Sequence, residues 1–409
     1  MNRSTKSLSP YALVVLGVLF MSAPLAFAGR TSAKVDKKEW ALLTYLNGFN
    51  SLDSFGYLDM NEMEKVGSTP RVHVVSQWAS LKTKEVHRVY VNKDSDPSTV
   101  TSPVVENLGK IDMGDYRSLI DFVKWSVKNY PADHYFVNVW NHGNGWHFTG
   151  TKSVPPSTRD LSYDDLSGNK ITTEQLGQAL AELSAELGKK IDVFGSDSCL
   201  MAMAEVAGEM KGSVGQFIGS EEVEPADGWP YDTLLTKWNA GGAKSPADVA
   251  NILTQVYVDS YKNGQDATLS GMDLAKYGPL ASAVRDLADA IKSEPASVRQ
   301  KILQAVGRTQ SYTSDDYKDL GDFVDVLAKD TSINLRPDIL AGVKTALKAF
   351  VNANRTTTAM AKSQGVSIWF PDSAWEFGTY KERYRAMTFN QDTGWIDAIT
   401  ATLGGANLL

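Results

Sequence analysis

Three short, mostly apolar runs constrain this chain most, Ala41 to Leu46, Tyr135 to Trp140 and Ile191 to Phe194, with Val72 to Trp78 a further strand candidate. A strand wetted on one face alternates apolar with polar residues, whereas a strand covered on both faces reads as a continuous apolar stretch. Helical patterns separate these runs. Residues 58 to 66 read as a short amphipathic helix ending at Gly67. Residues 115 to 129 place Leu119, Phe122, Val123, Ser126 and Val127 on one face before Tyr130-Pro131 stops the helix, and residues 172 to 187 form another, capped by Thr172 or Thr173. Val86 to Val91 alternates as a hairpin partner would, and Gly215 to Gly219 is strand-like. Strand and helix in alternation predict the α/β class, with a mostly parallel sheet covered on both faces.

Beyond Ser245 the pattern becomes mainly helical as far as Phe350, interrupted by a strand-like run at Ala267 to Leu274, and Gly365 to Phe370 is a late strand. No repeat with a period of about 20 to 50 residues is visible, which excludes solenoids and propellers. The expected division is a targeting segment at 1–28, a core at 29–244 and a mainly helical C-terminal region at 245–409 whose late strand packs on the core. Arg3 and Lys6, the apolar run Tyr11 to Met21 and the A-x-A signal Ala26-Phe27-Ala28 have the form of a secretory signal peptide. The product is expected in a periplasm or outside the cell. No later stretch approaches the roughly 20 apolar residues of a membrane span, so no membrane anchor is expected. With 41 basic against 48 acidic residues and a net charge of -7, the chain lacks the basic field that nucleic acid requires. A single cysteine, Cys199, excludes intrachain disulfides and multi-thiolate metal sites.

In open α/β sheets the reactive groups collect beyond the carboxyl ends of the strands, where both Asn141-His142-Gly143 and Ser196-Asp197-Ser198-Cys199 fall. A histidine in a glycine-rich turn leaves backbone N–H groups free for a developing oxyanion, and a cysteine opening a helix would have its thiolate stabilised by the helix N-terminus. A helix-like run from about Cys199 to Met210 supports that placement. His147 competes with His142 for the role of base, while His73, His87 and His134 read as packing or surface residues. Asp197 has a second reading as a helix cap. Glu205 and Glu209, four apart, read as a solvated helix face, and the acidic run Glu221 to Glu224 reads either as a loop or as a pocket for a basic side chain.

The stretch Tyr130-Pro131-Ala132-Asp133-His134-Tyr135, running into Trp140-Asn141-His142-Gly143-Asn144-Gly145-Trp146, resembles the histidine motif of the clostripain family of cysteine peptidases, and Asp197-Ser198-Cys199-Leu200-Met201-Ala202 with Glu205-Val206 resembles its cysteine motif. The likeness extends to Asn50-Ser51-Leu52-Asp53, Met113-Gly114-Asp115, Ser220-Glu221-Glu222 with Gly228-Trp229-Pro230-Tyr231, Asp319-Leu320-Gly321-Asp322-Phe323 and Gly365 to Pro371. The resemblance implies a caspase-like three-layer α/β/α core and an endopeptidase acting on proteins or peptides after Arg or Lys; a monomer is expected. It implies His142 as base, Cys199 as nucleophile, and the N–H groups of Gly143 and Cys199 as the oxyanion hole. Glu222, with Ser220 and Asp197, carries over as the substrate pocket, although the family commonly has Asp at the Glu222 position. Self-cleavage between the two motifs would fall at Lys152, Arg159 or Lys170. No cofactor is assigned. Some family members require calcium, for which Asp160 to Asp165 offers oxygens but no ligand spacing. The rival readings are a non-catalytic exported binding protein with a buried Cys199, and a transpeptidase or ligase using the same dyad.

Overall fold

The computed structural model describes Met1 and residues 35–147, 160–261 and 264–404. The segment expected to be a signal peptide thus lies, Met1 apart, outside the described residues. Asp36–Leu409 forms one compact unit. Its strands are β1 (Lys38–Gly48), β2 (Val72–Ser80), β3 (Glu85–Tyr90), β4 (Val104–Gly109), β5 (Ala132–Trp140), β6 (Leu161–Asp164), β7 (Asn169–Ile171), β8 (Ile191–Asp197), β9 (Val214–Gly219), β10 (Thr268–Asp273), β11 (Tyr317–Asp319), β12 (Val351–Thr356) and β13 (Ser367–Trp369). Nine of them make the main sheet, in the order β12-β10-β9-β8-β5-β1-β2-β3-β4. The central five, β9-β8-β5-β1-β2, are parallel, and antiparallel strands complete both edges.

The period of two in β1 divides the core into its layers. Leu43 and Tyr45 enter one apolar cluster with the helices Tyr116–Asn129 and Thr173–Leu187, while Trp40, Leu42 and Leu46 enter the other with Asp53–Val66 and Pro246–Ser260. Helices therefore cover both faces, as the apolar runs predict. Of the caps the sequence offers, Thr172 is one and Asp197 is not, since the helix after β8 is preceded by Met203. The Asp115 carboxylate accepts from Arg117 N, and Thr172 forms a capping box with Gln175.

Three segments differ from expectation. The helix after β8 begins at Ala204, not near Cys199. Residues 200–202 stay out of it because neighbouring segments engage their backbone: Leu200 N donates to Glu222 O, Ala202 N to Ser220 O, and Ser367 N to Ala202 O. The acidic stretch from Asp160, weighed above only as a source of oxygens for calcium, leads into a hairpin, β6 with β7, and Asp160, Ser162 and Asp164 are buried. Their polarity is satisfied by tertiary partners: Arg383 on Asp160, and Met113, whose carbonyl accepts from Ser162 Oγ and whose N–H donates to Asp164. The chain beyond 245 adds β10 and β12 to the main sheet, and the late strand β13 pairs instead with β11 in a separate ribbon.

Candidate active site

The chain reverses direction across the sheet beside β1, running first to β2 and later to β5, and the crevice of a doubly wound sheet opens at such a point. Three loops meet there. Ser51 follows β1, His142 follows β5 and Cys199 follows β8; Trp140 and Asp197 are register partners, and Asn141 N donates to Asp197 O over 3.2 Å. His142 and Cys199 line one cavity of about 200 Å³ together with Leu52, Asp197, Glu224 and Gly228. Larger hollows open elsewhere, one of about 560 Å³ among Asp286, Asp289 and Arg336, and its described lining holds no histidine or cysteine.

The imidazole is held by the first loop: Ser51 Oγ and His142 Nε2 are 3.0 Å apart. Asn141 braces its base, donating to Asn47 O at 2.6 Å and accepting from Tyr163 N at 2.9 Å. The next residue must be glycine. A Cβ on Gly143 would stand 2.6 Å from the Cys199 carbonyl oxygen, so the histidine and cysteine loops touch through bare backbone.

Cys199 is partly exposed at the cavity wall, and Glu224 N donates to its sulfur over 3.4 Å. Leu200, immediately after it, has a φ of +64°, a left-handed conformation that a bulky side chain adopts only under tertiary constraint. The dense surroundings push the thiol up to about 11, and the carboxylates Glu222 and Asp197 push the same way, against the Glu224 N–H. The expectation of a thiolate stabilised by a helix N-terminus is therefore corrected. No helix opens at Cys199, and the resting thiol is neutral.

Of the three residues expected in the pocket, only Asp197 lines the cavity. Its Oδ2 accepts from Tyr231 OH at 2.6 Å, and burial raises it to about 6. Glu224 hydrogen-bonds to it, and burial with the charge of Asp197 holds the Glu224 carboxyl well above the usual range, so the two acids share a proton. Trp229 Nε1 donates to Glu224 Oε1 over 3.4 Å. Asp59 lies behind them, accepts from Trp140 Nε1 at 2.5 Å, and is likewise raised by burial and by Asp197. Glu222 points away: its Oε1 accepts from Thr313 Oγ1 at 2.6 Å and from Thr313 N at 3.1 Å. Ser220 is fully buried behind the site, with its Oγ bonded to Glu222 O.

His147 is excluded from the cavity. It is wholly buried, 3.1 Å from Asp316 Oδ2, and stacked on Tyr380. Glu205 is not on a solvated face but fully buried, accepting from Trp369 N and Tyr384 OH. Lys170 sits half-buried in β7, while Lys152 and Arg159 lie outside the described residues. The residues that sequence reasoning passed over are Ser51, Glu224 and Tyr231. Each stands inside a quoted motif or the acidic run, but only the convergence of loops shows which of their neighbours face the crevice.

Residues 44–401 match the Clostripain family profile. Over 211 residues the chain is 29% identical to clostripain from Hathewaya histolytica, a match covering 44% of this chain and 39% of that protein, so the chain spans well under half the length of this curated relative. Two solved structures share the fold. A secreted C11 cysteine protease from Bacteroides thetaiotaomicron, in complex with an irreversible peptide inhibitor, superposes with a TM-score of 0.66 at 22% identity, over 88% of this chain and 99% of that one. An inactive zymogen C11 protease from Parabacteroides distasonis gives 0.67 at 20% identity, again over 88% and 99%. With the family profile spanning nearly all of the folded unit, and a caspase-like sheet beneath it, this chain belongs to the clostripain family of cysteine peptidases.

Proposed function

We propose that this chain is an exported endopeptidase that cleaves after basic P1 residues, with Cys199 as nucleophile and His142 as base. One observation carries the reading: the partly exposed thiol and the imidazole line the same cavity as the Asp197–Glu224 carboxyl pair. Because the resting thiol is neutral, His142 takes the Sγ proton as sulfur attacks the scissile carbonyl. The N–H groups of Gly143 and Cys199 hold the oxyanion, and the imidazolium then returns its proton to the leaving amine. Water, deprotonated by His142, hydrolyses the thioester and releases the thiol. A guanidinium or ammonium in the pocket supplies the positive charge that the two carboxyls lack, displacing their shared proton.

The same reading includes self-cleavage between the two motifs. A peptidase binds accessible chain ends and loop tips, and Lys170 is held in a hairpin, which disfavours cleavage there. The stretch Asp160 to Asp165 does not suit calcium. Asp160 is committed to Arg383 and Thr173 N, and Asp164 to the N–H groups of Met113, Leu166 and Ser167. The export reading rests on residues 3–28 and is supported by relatives described as secreted.

The test is hydrolysis of fluorogenic peptides bearing Arg, Lys or Asp at P1, with and without calcium. Cys199→Ala should lower kcat by about 10⁴-fold or more, and Asp197→Asn should lower kcat/KM for basic P1 by about 10²-fold. Activity surviving in Cys199→Ala, or a preference for Asp at P1, would overturn the reading.

A further inference from the structure

Two quoted motifs have no part in the chemistry so far: Asp319 to Phe323 and Gly365 to Pro371. They meet at one buried point. Glu221 and Asp319 are both fully buried, and their carboxyls hydrogen-bond to each other. Tyr312 OH donates to Glu221 Oε1 at 2.7 Å and stands 3.4 Å from Asp319 Oδ2. Gly365 N donates to Glu221 Oε2 at 3.0 Å, and Gln364 N to Asp319 Oδ2 at 2.5 Å. Asp319 Oδ1 accepts from Asp322 N, capping the helix Leu320–Lys329.

The Glu221 backbone belongs to the loop that supports the nucleophile. Ser220 O and Glu222 O accept from Ala202 N and Leu200 N, and Glu224 N donates to the Cys199 sulfur. The neighbouring side chain is gripped by the same segment from outside, Glu222 by Thr313 and Glu221 by Tyr312. Thr268 Oγ1 accepts the N–H groups of Glu221 and Glu222. The loop is also tied through the Glu222 carboxyl to Thr313 and through the Glu224 carboxyl to Asp197, but the Glu221–Asp319 pair is the place where the loop, the 310–322 segment and the Gln364–Gly365 backbone meet.

We propose that the Glu221–Asp319 pair is a positioning device: it fixes the 220–224 loop and, through Leu200 N, Ala202 N and the Glu224 N–H, the orientation of the Cys199 thiol. A carboxyl–carboxyl hydrogen bond needs one proton, and burial with the charge of Asp319 holds Glu221 well above its ordinary range, keeping that proton in place. The consequence for catalysis rests on Cys199 being the nucleophile; the consequence for thiol reactivity does not.

The experiment measures kcat and KM on a basic-P1 peptide, the rate of Cys199 alkylation by iodoacetamide, and thermal melting for wild type, Glu221→Ala, Glu221→Gln, Asp319→Asn and Tyr312→Phe. Glu221→Ala should lower kcat about tenfold or more with KM within about threefold, and should slow alkylation about threefold, because the Glu224 N–H no longer meets the sulfur. At least one of Glu221→Gln and Asp319→Asn, which keep a hydrogen-bonding pair, should recover kcat to within about threefold of wild type. If Glu221→Ala does not melt cooperatively, Tyr312→Phe decides, with the same direction expected in kcat and alkylation. A folded Glu221→Ala (or, in its place, Tyr312→Phe) with kcat and alkylation both within about twofold of wild type would overturn the proposal, as would equal damage in all the Glu221 and Asp319 variants. An active Cys199→Ala would refute the nucleophile instead, leaving the alkylation rates to judge the loop.

Discussion

Substituting Gly143 by alanine tests the contact between the two reactive loops with one methyl group. The new Cβ would lie 2.6 Å from Cys199 O, 2.9 Å from Ser198 Cβ and 3.2 Å from Met201 Cγ. Ordinary contact begins at 3.4 Å, so the Cys199 carbonyl and the His142 loop must separate by 3.4 minus 2.6, or about 0.8 Å. Gly143 cannot retreat freely, because its other side is bridged to Leu161. Its φ is not left-handed, so alanine brings no backbone strain of its own and keeps the N–H proposed for the oxyanion hole. The loss is therefore geometric. A shift approaching 1 Å in a catalytic pair costs about 10²-fold in kcat, while overpacking costs about 1–3 kcal/mol of stability. Steady-state kinetics on an Arg-P1 peptide, with melting of the same preparation, reads both. A Gly143→Ala protein with kcat within about threefold of wild type would refute the close approach of the two loops.

Other outcomes follow from the buried ionisable groups. With Cys199 pushed up to about 11, the rate of iodoacetamide alkylation should still be climbing between pH 7 and 10; a plateau near pH 7 would contradict a neutral resting thiol. Burial raises Glu205 from 4.5 to about 7, so the folded state holds the extra proton, and stability present below pH 4.5 declines as pH rises to about 7. That decline is about 3 kcal/mol, and Glu205→Gln should shrink the Tm difference between pH 5 and pH 8 by about 4 °C in calorimetry; an unchanged difference would count against it. Arg383 bridges Asp160 and Glu174, and Arg383→Ala should cost about 3 kcal/mol because it strands the fully buried Asp160 carboxylate. Denaturant unfolding with no change in midpoint would refute that bridge.

The central strands are legible because burial on both faces favours largely apolar runs, as in Ala41 to Leu46, although polar residues also stand buried in them, Thr44 there and His73, Ser76 and Gln77 in Val72 to Trp78. Of the main sheet's strands, the two that escaped notice, β4 and β12, are its edges. Their solvated residues carry no such run, and Val104 and Val105 stay exposed. His142 and Cys199 could be picked out because they follow strand ends, a position set locally. Glu222 was misplaced for the opposite reason: whether an acid in a loop faces a cavity or Thr313 depends on a segment some ninety residues away.

Local pattern determined the class of fold, the order of the central elements, the Thr172 cap and the two loops that bear the reactive side chains. Each of these depends on residues within a few positions of one another, through burial period, cap chemistry and strand ends. Tertiary structure alone decided that the thiol is neutral, that Asp197 and Glu224 rather than Glu222 form the acidic wall, and that Glu205 and His147 are interior. Those outcomes are set by desolvation and by charges brought together across the sheet. A side chain's dielectric surroundings and its partners come from distant parts of the chain, and no spacing in the sequence encodes them.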